Sequence, residues 1–185
     1  IIFILISLGI LTHIRNGVYI SPVTLWSDAI KRSPNKIRPY INLCVAYVER
    51  EESDKAIVAC RTAVEKGSRD ADTYINLAAA YFSKDDLDNA KAVLLTMPEV
   101  KGLIASKEAI EAYHYTLGAI YKRQKEFNKA IEEYEQVLKI KPQSPAPLAL
   151  IGECYVRLNK EDKANEYFNL ATKGIPQNGD DYFML

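Results

Sequence analysis

PYINLCVAYVEREESDKAIVACRTAV, residues 39–64, is followed at 73–97 by TYINLAAAYFSKDDLDNAKAVLLTM. The two stretches are copies of one pattern. Tyr40 aligns with Tyr74, Asn42 with Asn76, Leu43 with Leu77, Tyr47 with Tyr81 and Ala56 with Ala90, each pair 34 positions apart. A third copy, YTLGAIYKRQKEFNKAIEEYEQVLKIKP, begins at Tyr115, and a fourth, ALIGECYVRLNKEDKANEYFNLATKGIP, at Ala149. Gly118 and Gly152 are again 34 apart, whereas Leu77 and Leu117 are 40 apart, so six residues are inserted between the second and third copies.

Within each copy the apolar residues recur at i, i+3, i+4 and i+7, as at Tyr40, Leu43, Cys44 and Tyr47, which is one stripe of an α-helix. A second helix follows, carrying Ala56, Ala90, Ala130 or Ala164. The small slot of the first helix (Cys44, Ala78, Gly118, Gly152) and these alanines let two backbones approach closely, with aromatics filling the space beside them. A single hairpin of this kind cannot bury its own stripe. Stacked hairpins bury it between them.

The order of aromatic, Leu-Gly, Tyr, Ala, aromatic, Ala and a closing Pro resembles the tetratricopeptide repeat, from Ile37 to about Gln177. That resemblance implies an all-α fold: a right-handed superhelical solenoid of antiparallel helix pairs, whose first helices line a concave groove. The expected organisation is repeats at 37–70, 71–110 (with the insertion), 111–144 and 145–178. A leading half-repeat helix over 21–36 places Trp26, Ala29 and Pro34 in the second-helix slots. Ser21-Pro22 reads as its N-cap and first turn. Ser106 reads as the cap of a lengthened third first-helix, and residues 179–185 as a cap or the first turn of another helix.

Residues 1–20 open on IIFILISLGILTHI, with no charge and a single polar residue before Thr12. They read as the end of a transmembrane helix or a membrane-proximal apolar helix. The following HIRNGVYISPVTLWSDAIKRSPNKIRPYINL, with R-N, T-L-W, S-P-N-K and R in order, is similar to the junction before the C-terminal repeats of multi-span membrane glycosyltransferases of the protein O-mannosyltransferase type. That likeness implies a non-catalytic C-terminal array on the extracytoplasmic side. The alternative placement is the cytoplasmic face.

Several function classes are excluded. Twenty-four basic residues balance twenty-four acidic ones, so no net field favours nucleic acid. There is no G-x-S-x-G, H-E-x-x-H, P-loop or G-x-G-x-x-G motif, and neither cofactor, metal site, small-molecule substrate nor catalytic residue is expected. Cys44, Cys60 and Cys154 read as small buried hydrophobes, with a disulfide left open between Cys44 and Cys60 because their helices pack together. His114 reads as a packed residue in an aromatic slot, with no base, nucleophile or metal partner, and Glu132, Glu133 and Glu135 as an exposed convex face.

What remains is the groove. Its expected residues are Ile41, Asn42, Val45 and Val48, then Ile75, Asn76, Ala79 and Phe82, then Tyr115 and Ala119. In family members where asparagines repeat as Asn42 and Asn76 do, they bind the backbone of an extended peptide. The lysine and arginine slots that clamp a C-terminal carboxylate in other members hold Ile41, Val45, Tyr115 and Ala119 here, which predicts no such clamp. The expected function is a membrane-tethered scaffold that binds a protein or peptide in the groove. A structural subunit of a membrane assembly is the other alternative.

Overall fold

The structure, a computed structural model, describes residue 12, residues 20–97 and residues 106–173. Residues 1–11, 13–19 and 174–185, with the apolar opening and the tail, lie outside the described residues, as does most of the 98–109 insertion. Every described element is helical: α1 (Pro22–Arg32), α2 (Arg38–Glu49), α3 (Ser53–Glu65), α4 (Ala71–Ser83), α5 (Leu87–Leu95), α6 (Lys107–Arg123), α7 (Phe127–Ile140), α8 (Pro145–Arg157) and α9 (Glu161–Lys173). The fold is an all-α tetratricopeptide-type solenoid. It divides into two units, Ile1–Leu103 and Ile104–Leu185.

Helix starts follow local chemistry. Ser21 accepts from the Thr24 N–H and the Thr24 hydroxyl accepts from the Ser21 N–H, a reciprocal capping box ahead of Pro22. Asp70, Asp86 and Ser106 accept from the backbone N–H of Thr73, Asn89 and Ala109, at 3.1, 3.3 and 3.1 Å. The Ser106 cap starts a 17-residue α6, as its sequence position predicts.

Each hairpin closes the same way. The backbone N–H groups of Glu52, Asp86, Glu126 and Lys160 donate to the carbonyls of Tyr47, Tyr81, Tyr121 and Tyr155, at 3.0, 3.0, 2.9 and 2.9 Å. The residues between, Glu51, Asp85, Lys125 and Asn159, have φ of 57°, 60°, 62° and 55°. This is a Schellman closure with a non-glycine residue in the left-handed position four times over. It turns the chain back within three residues and sets every second helix against its first.

In the first unit α1, α2, α3, α4 and α5 pack in succession, and α2 also touches α4, so the first helices of successive repeats are neighbours. In the second unit α6 packs on α7, α7 on α8 and α8 on α9. Leu43, Cys44, Ala59, Cys60 and Leu77 form one buried cluster, and Ala130, Ile131, Tyr134, Ile151 and Cys154 another.

Close approach is greatest in the second unit. A methyl on Gly118 would lie 2.7 Å from Tyr134 Cε1, and one on Gly152 would lie 2.6 Å from Phe168 Cε1. At the same register α4 and α5 carry Ala78 and Leu94, both fully buried. In the first repeat the two slots hold Cys44 and Cys60, joined as a disulfide with Cα atoms 4.9 Å apart. Both are buried, as their apolar stripes imply, and of the two readings left open the structure takes the disulfide. The slot that brings a glycine onto a tyrosine ring elsewhere brings two cysteine side chains within reach of an Sγ–Sγ bond here. Cys154 is the buried free thiol, and burial pushes it up to about 11.

Candidate functional site

The predicted groove residues of the first unit lie on α2 and α4, the two first helices that touch. Ile41, Val45 and Val48 on α2 and Ala79 and Phe82 on α4 are half-buried apolar side chains. Ile75 is buried, so it supports this face from beneath and offers little surface. Asn42 and Asn76 are half-buried, and neither side chain makes a hydrogen bond within the described residues. Their amides therefore keep both donor and acceptor available at the same register of successive repeats. Between α2, α3 and α4 lies a recess of about 330 Å³. Ala56 and Ala80 form its floor, Val48 and Ala79 its walls, and Glu51, Ser53 and Ser83 its mouth.

In the second unit Tyr115 is 39% exposed and its ring meets Tyr134 edge-on, with centroids 5.9 Å apart. Ala119 is half-buried. Lys122 on α6 and Glu153 on α8 pair at 2.6 Å, so this unit carries an ion pair where the first carries Val48 and Ala79. The two candidate faces differ in kind: apolar with side-chain amides in one, polar in the other.

His114 is not merely packed. Its Nδ1 lies 2.7 Å from Glu133 Oε2, a carboxylate on α7 that is itself half-buried. Both sequence readings, of a partnerless histidine and of Glu133 on an exposed face, are corrected by this pair. The cause is the lengthened first helix of this repeat. Tyr40 and Tyr74, in the same slot of the earlier repeats, donate their hydroxyls to the carbonyls of Pro34 and Ser68, at 3.1 Å each. The corresponding position, Glu108, lies inside α6 and offers no loop carbonyl, so His114 meets the facing helix instead. Tyr134 is fully buried and its hydroxyl has no partner among the described residues, and burial pushes its pKa upward.

Among the described residues no group of His, Cys, Asp and Glu is arranged to hold a metal ion. No helix among them is long and apolar enough to cross a membrane.

Sequence models of the tetratricopeptide repeat match residues 71–96, 107–144 and 147–178, together just over half of the chain. The chain belongs to the tetratricopeptide repeat family. Arrays of this family are typically scaffolds for protein–protein interaction, and the repeats support that role for this chain. Similar solved structures bear out the fold. A crystal structure of MamA is 26% identical, with 82% of this chain and 85% of that one covered at a TM-score of 0.73. Pseudomonas aeruginosa pilF is 21% identical, covering 94% and 76% at 0.70. TTC0263, a thermophilic tetratricopeptide protein of Thermus thermophilus, is 21% identical, covering 93% and 90% at 0.64. No curated protein matches the sequence. None of these comparisons bears on the likeness to O-mannosyltransferase junctions, and most of the stretch before Ser21 lies outside the described residues.

Proposed function

We propose that this tetratricopeptide chain grips an extended segment of a partner protein on the α2–α4 face. The observation that carries the proposal is the pair of half-buried, unbonded amides, Asn42 and Asn76, set among half-buried apolar side chains. An extended peptide presents a donor and an acceptor at each residue, and a side-chain amide complements both. The apolar neighbours would supply burial, at roughly 25 cal/mol per Å² removed from water. A C-terminal carboxylate is not part of this recognition, because Ile41 and Val45 stand where cations would be needed.

The same proposal places the array beside a membrane, tethered by the apolar residues 1–20, and in an oxidising, extracytoplasmic compartment. The Cys44–Cys60 disulfide supports the compartment, since such bonds persist where thiols are not kept reduced.

Two measurements test this. Ile41→Glu combined with Phe82→Glu leaves the helical circular dichroism intact and abolishes capture of partners from an extract of the native source. Undiminished capture would refute the groove. For the compartment, acid-quenched native protein is alkylated under denaturing conditions. One alkylated thiol, Cys154, is the expected outcome, and three would refute an oxidising location.

A further inference from the structure

We infer that the recess between α2, α3 and α4 is a pocket for one aromatic side chain of the bound segment, with an arginine or lysine next to it in that segment. The inference rests on the groove reading, because Val48 and Ala79 belong to the same face.

The recess exists because a repeat slot is empty. Ser53 begins α3 where Phe127 begins α7. Phe127 packs against the buried cluster of Ala130, Tyr134, Ile151 and Cys154. In that second unit the Lys122–Glu153 pair spans the positions that correspond to Val48 and Ala79. There the space is filled by an aromatic ring belonging to the chain and crossed by an ion pair. In the first unit the ring is replaced by a serine and the ion pair by two apolar side chains, which leaves about 330 Å³ open. That lies at the small end of ligand pockets, ~300–1,000 Å³, which suits one side chain and not a whole small-molecule ligand. The floor is alanine methyls and the walls are Val48 and Ala79, so the surface asks for an apolar guest.

Charge selects the neighbour. Glu51 is exposed at the mouth, held in the left-handed turn position after α2, and has no ion pair among the described residues. The next carboxylates along the chain are already neutralised, Glu52 by Arg50 and Lys55, both at 2.6 Å, and Asp54 by Lys84 at 2.8 Å. A guanidinium or ammonium on the residue beside the aromatic would therefore meet the uncompensated Glu51 carboxylate. An acidic residue there would meet repulsion.

The test uses the whole chain, ¹⁵N-labelled, titrated with the peptide acetyl-Ala-Phe-Arg-Ala-amide and with its Phe-Glu counterpart. The Phe-Arg peptide is expected to shift the amide signals of Val48, Ala79 and Ser83. The Phe-Glu peptide should bind about tenfold more weakly. Ser53→Phe supplies the missing ring from within and should abolish those shifts, while Ser53→Ala keeps them. Glu51→Gln, a surface change with no packing consequence, should erase the preference between the two peptides. Absent shifts at the recess, equal binding of both peptides, or full binding by a folded Ser53→Phe chain would each overturn the inference. Shifts confined to Ile41, Val45 and Asn76 would overturn the pocket and leave the groove standing. A recess that binds while the Ile41→Glu, Phe82→Glu chain still captures its partner would do the reverse.

Discussion

Gly118→Ala tests the packing on which every hairpin depends. On an isolated helix this change is favourable by about 0.5–1 kcal/mol, because alanine loses less backbone entropy than glycine. In this chain the new methyl would lie 2.7, 2.9 and 3.1 Å from Cε1, Cδ1 and Cζ of Tyr134. Carbon atoms prefer about 3.5–4.0 Å, so the ring must retreat by most of an ångström. Tyr134 is fully buried and has nowhere to go. Overpacking of this kind costs about 1–3 kcal/mol, which set against the propensity gain leaves a net loss centred on about 1 kcal/mol and reaching about 2.5 kcal/mol. Gly152→Ala makes a similar clash with Phe168, at 2.6 Å. Phe168 is only half-buried and can turn outward, so that variant should lie near neutrality. Adding Tyr134→Leu to Gly118→Ala reproduces the Ala78 and Leu94 combination of the second repeat and should recover at least about 1 kcal/mol of the loss as a favourable coupling. Urea titration followed by far-ultraviolet circular dichroism measures the midpoints. Hydrogen exchange of α6 and α7 amides places the effect in the second unit. A Gly118→Ala chain that is more stable than its parent, with Tyr134 intact, would refute the close-approach argument.

Replacing Cys44 and Cys60 by alanine should cost about 3 kcal/mol, the loop entropy of a closure with a sequence separation of 16 plus lost packing, whereas Cys44→Gly with Cys60→Tyr should recover part of it, both read from urea midpoints. Lys125→Gly, at a φ of 62°, should stabilise the chain by up to about 1 kcal/mol in the same assay, since glycine alone enters that region without a steric penalty. Alkaline pH should weaken the second unit. Burial raises Cys154 from 9.0 to about 11 and also raises Tyr113, Tyr134 and Tyr167, so the unfolded chain loses these protons first. The Cys154 contribution is intact below about pH 9 and is lost progressively toward pH 11, visible as a falling melting temperature that Cys154→Ala makes shallower.

The hairpins were legible because their spacing is a period and their stripes are helical. The Ser106 cap was legible because a serine stands where a helix must start. The disulfide was only half legible. Two cysteines in apolar stripes have the same pattern as two alanines, and only the distance between their backbones distinguishes a bond from mere burial. The His114–Glu133 pair was not legible because it joins two helices and follows from the lengthened α6, which a slot assignment does not reveal. The left-handed turn residues carried no glycine to announce them. The recess had left a signal, since Ser53 stands in the slot of Phe127, but a small residue there also fits a slot filled from a neighbouring helix. Among the groove residues, Ile75 shows the limit of periodicity. It shares its register with the half-buried Ile41, yet it is 9% exposed.

The matched slots also define what can be exchanged between such chains. Glycine faces an aromatic ring, alanine accompanies leucine, and cysteine is bonded to cysteine, each solution held within one hairpin. A recombination crossover at the left-handed turn, between a first helix and its second, would pair Gly118 with Leu94 or Ala78 with Tyr134, leaving a void or a clash. A crossover between hairpins keeps every pair together. The heritable cassette in this array is the closed hairpin, and its seams lie after α3, α5 and α7.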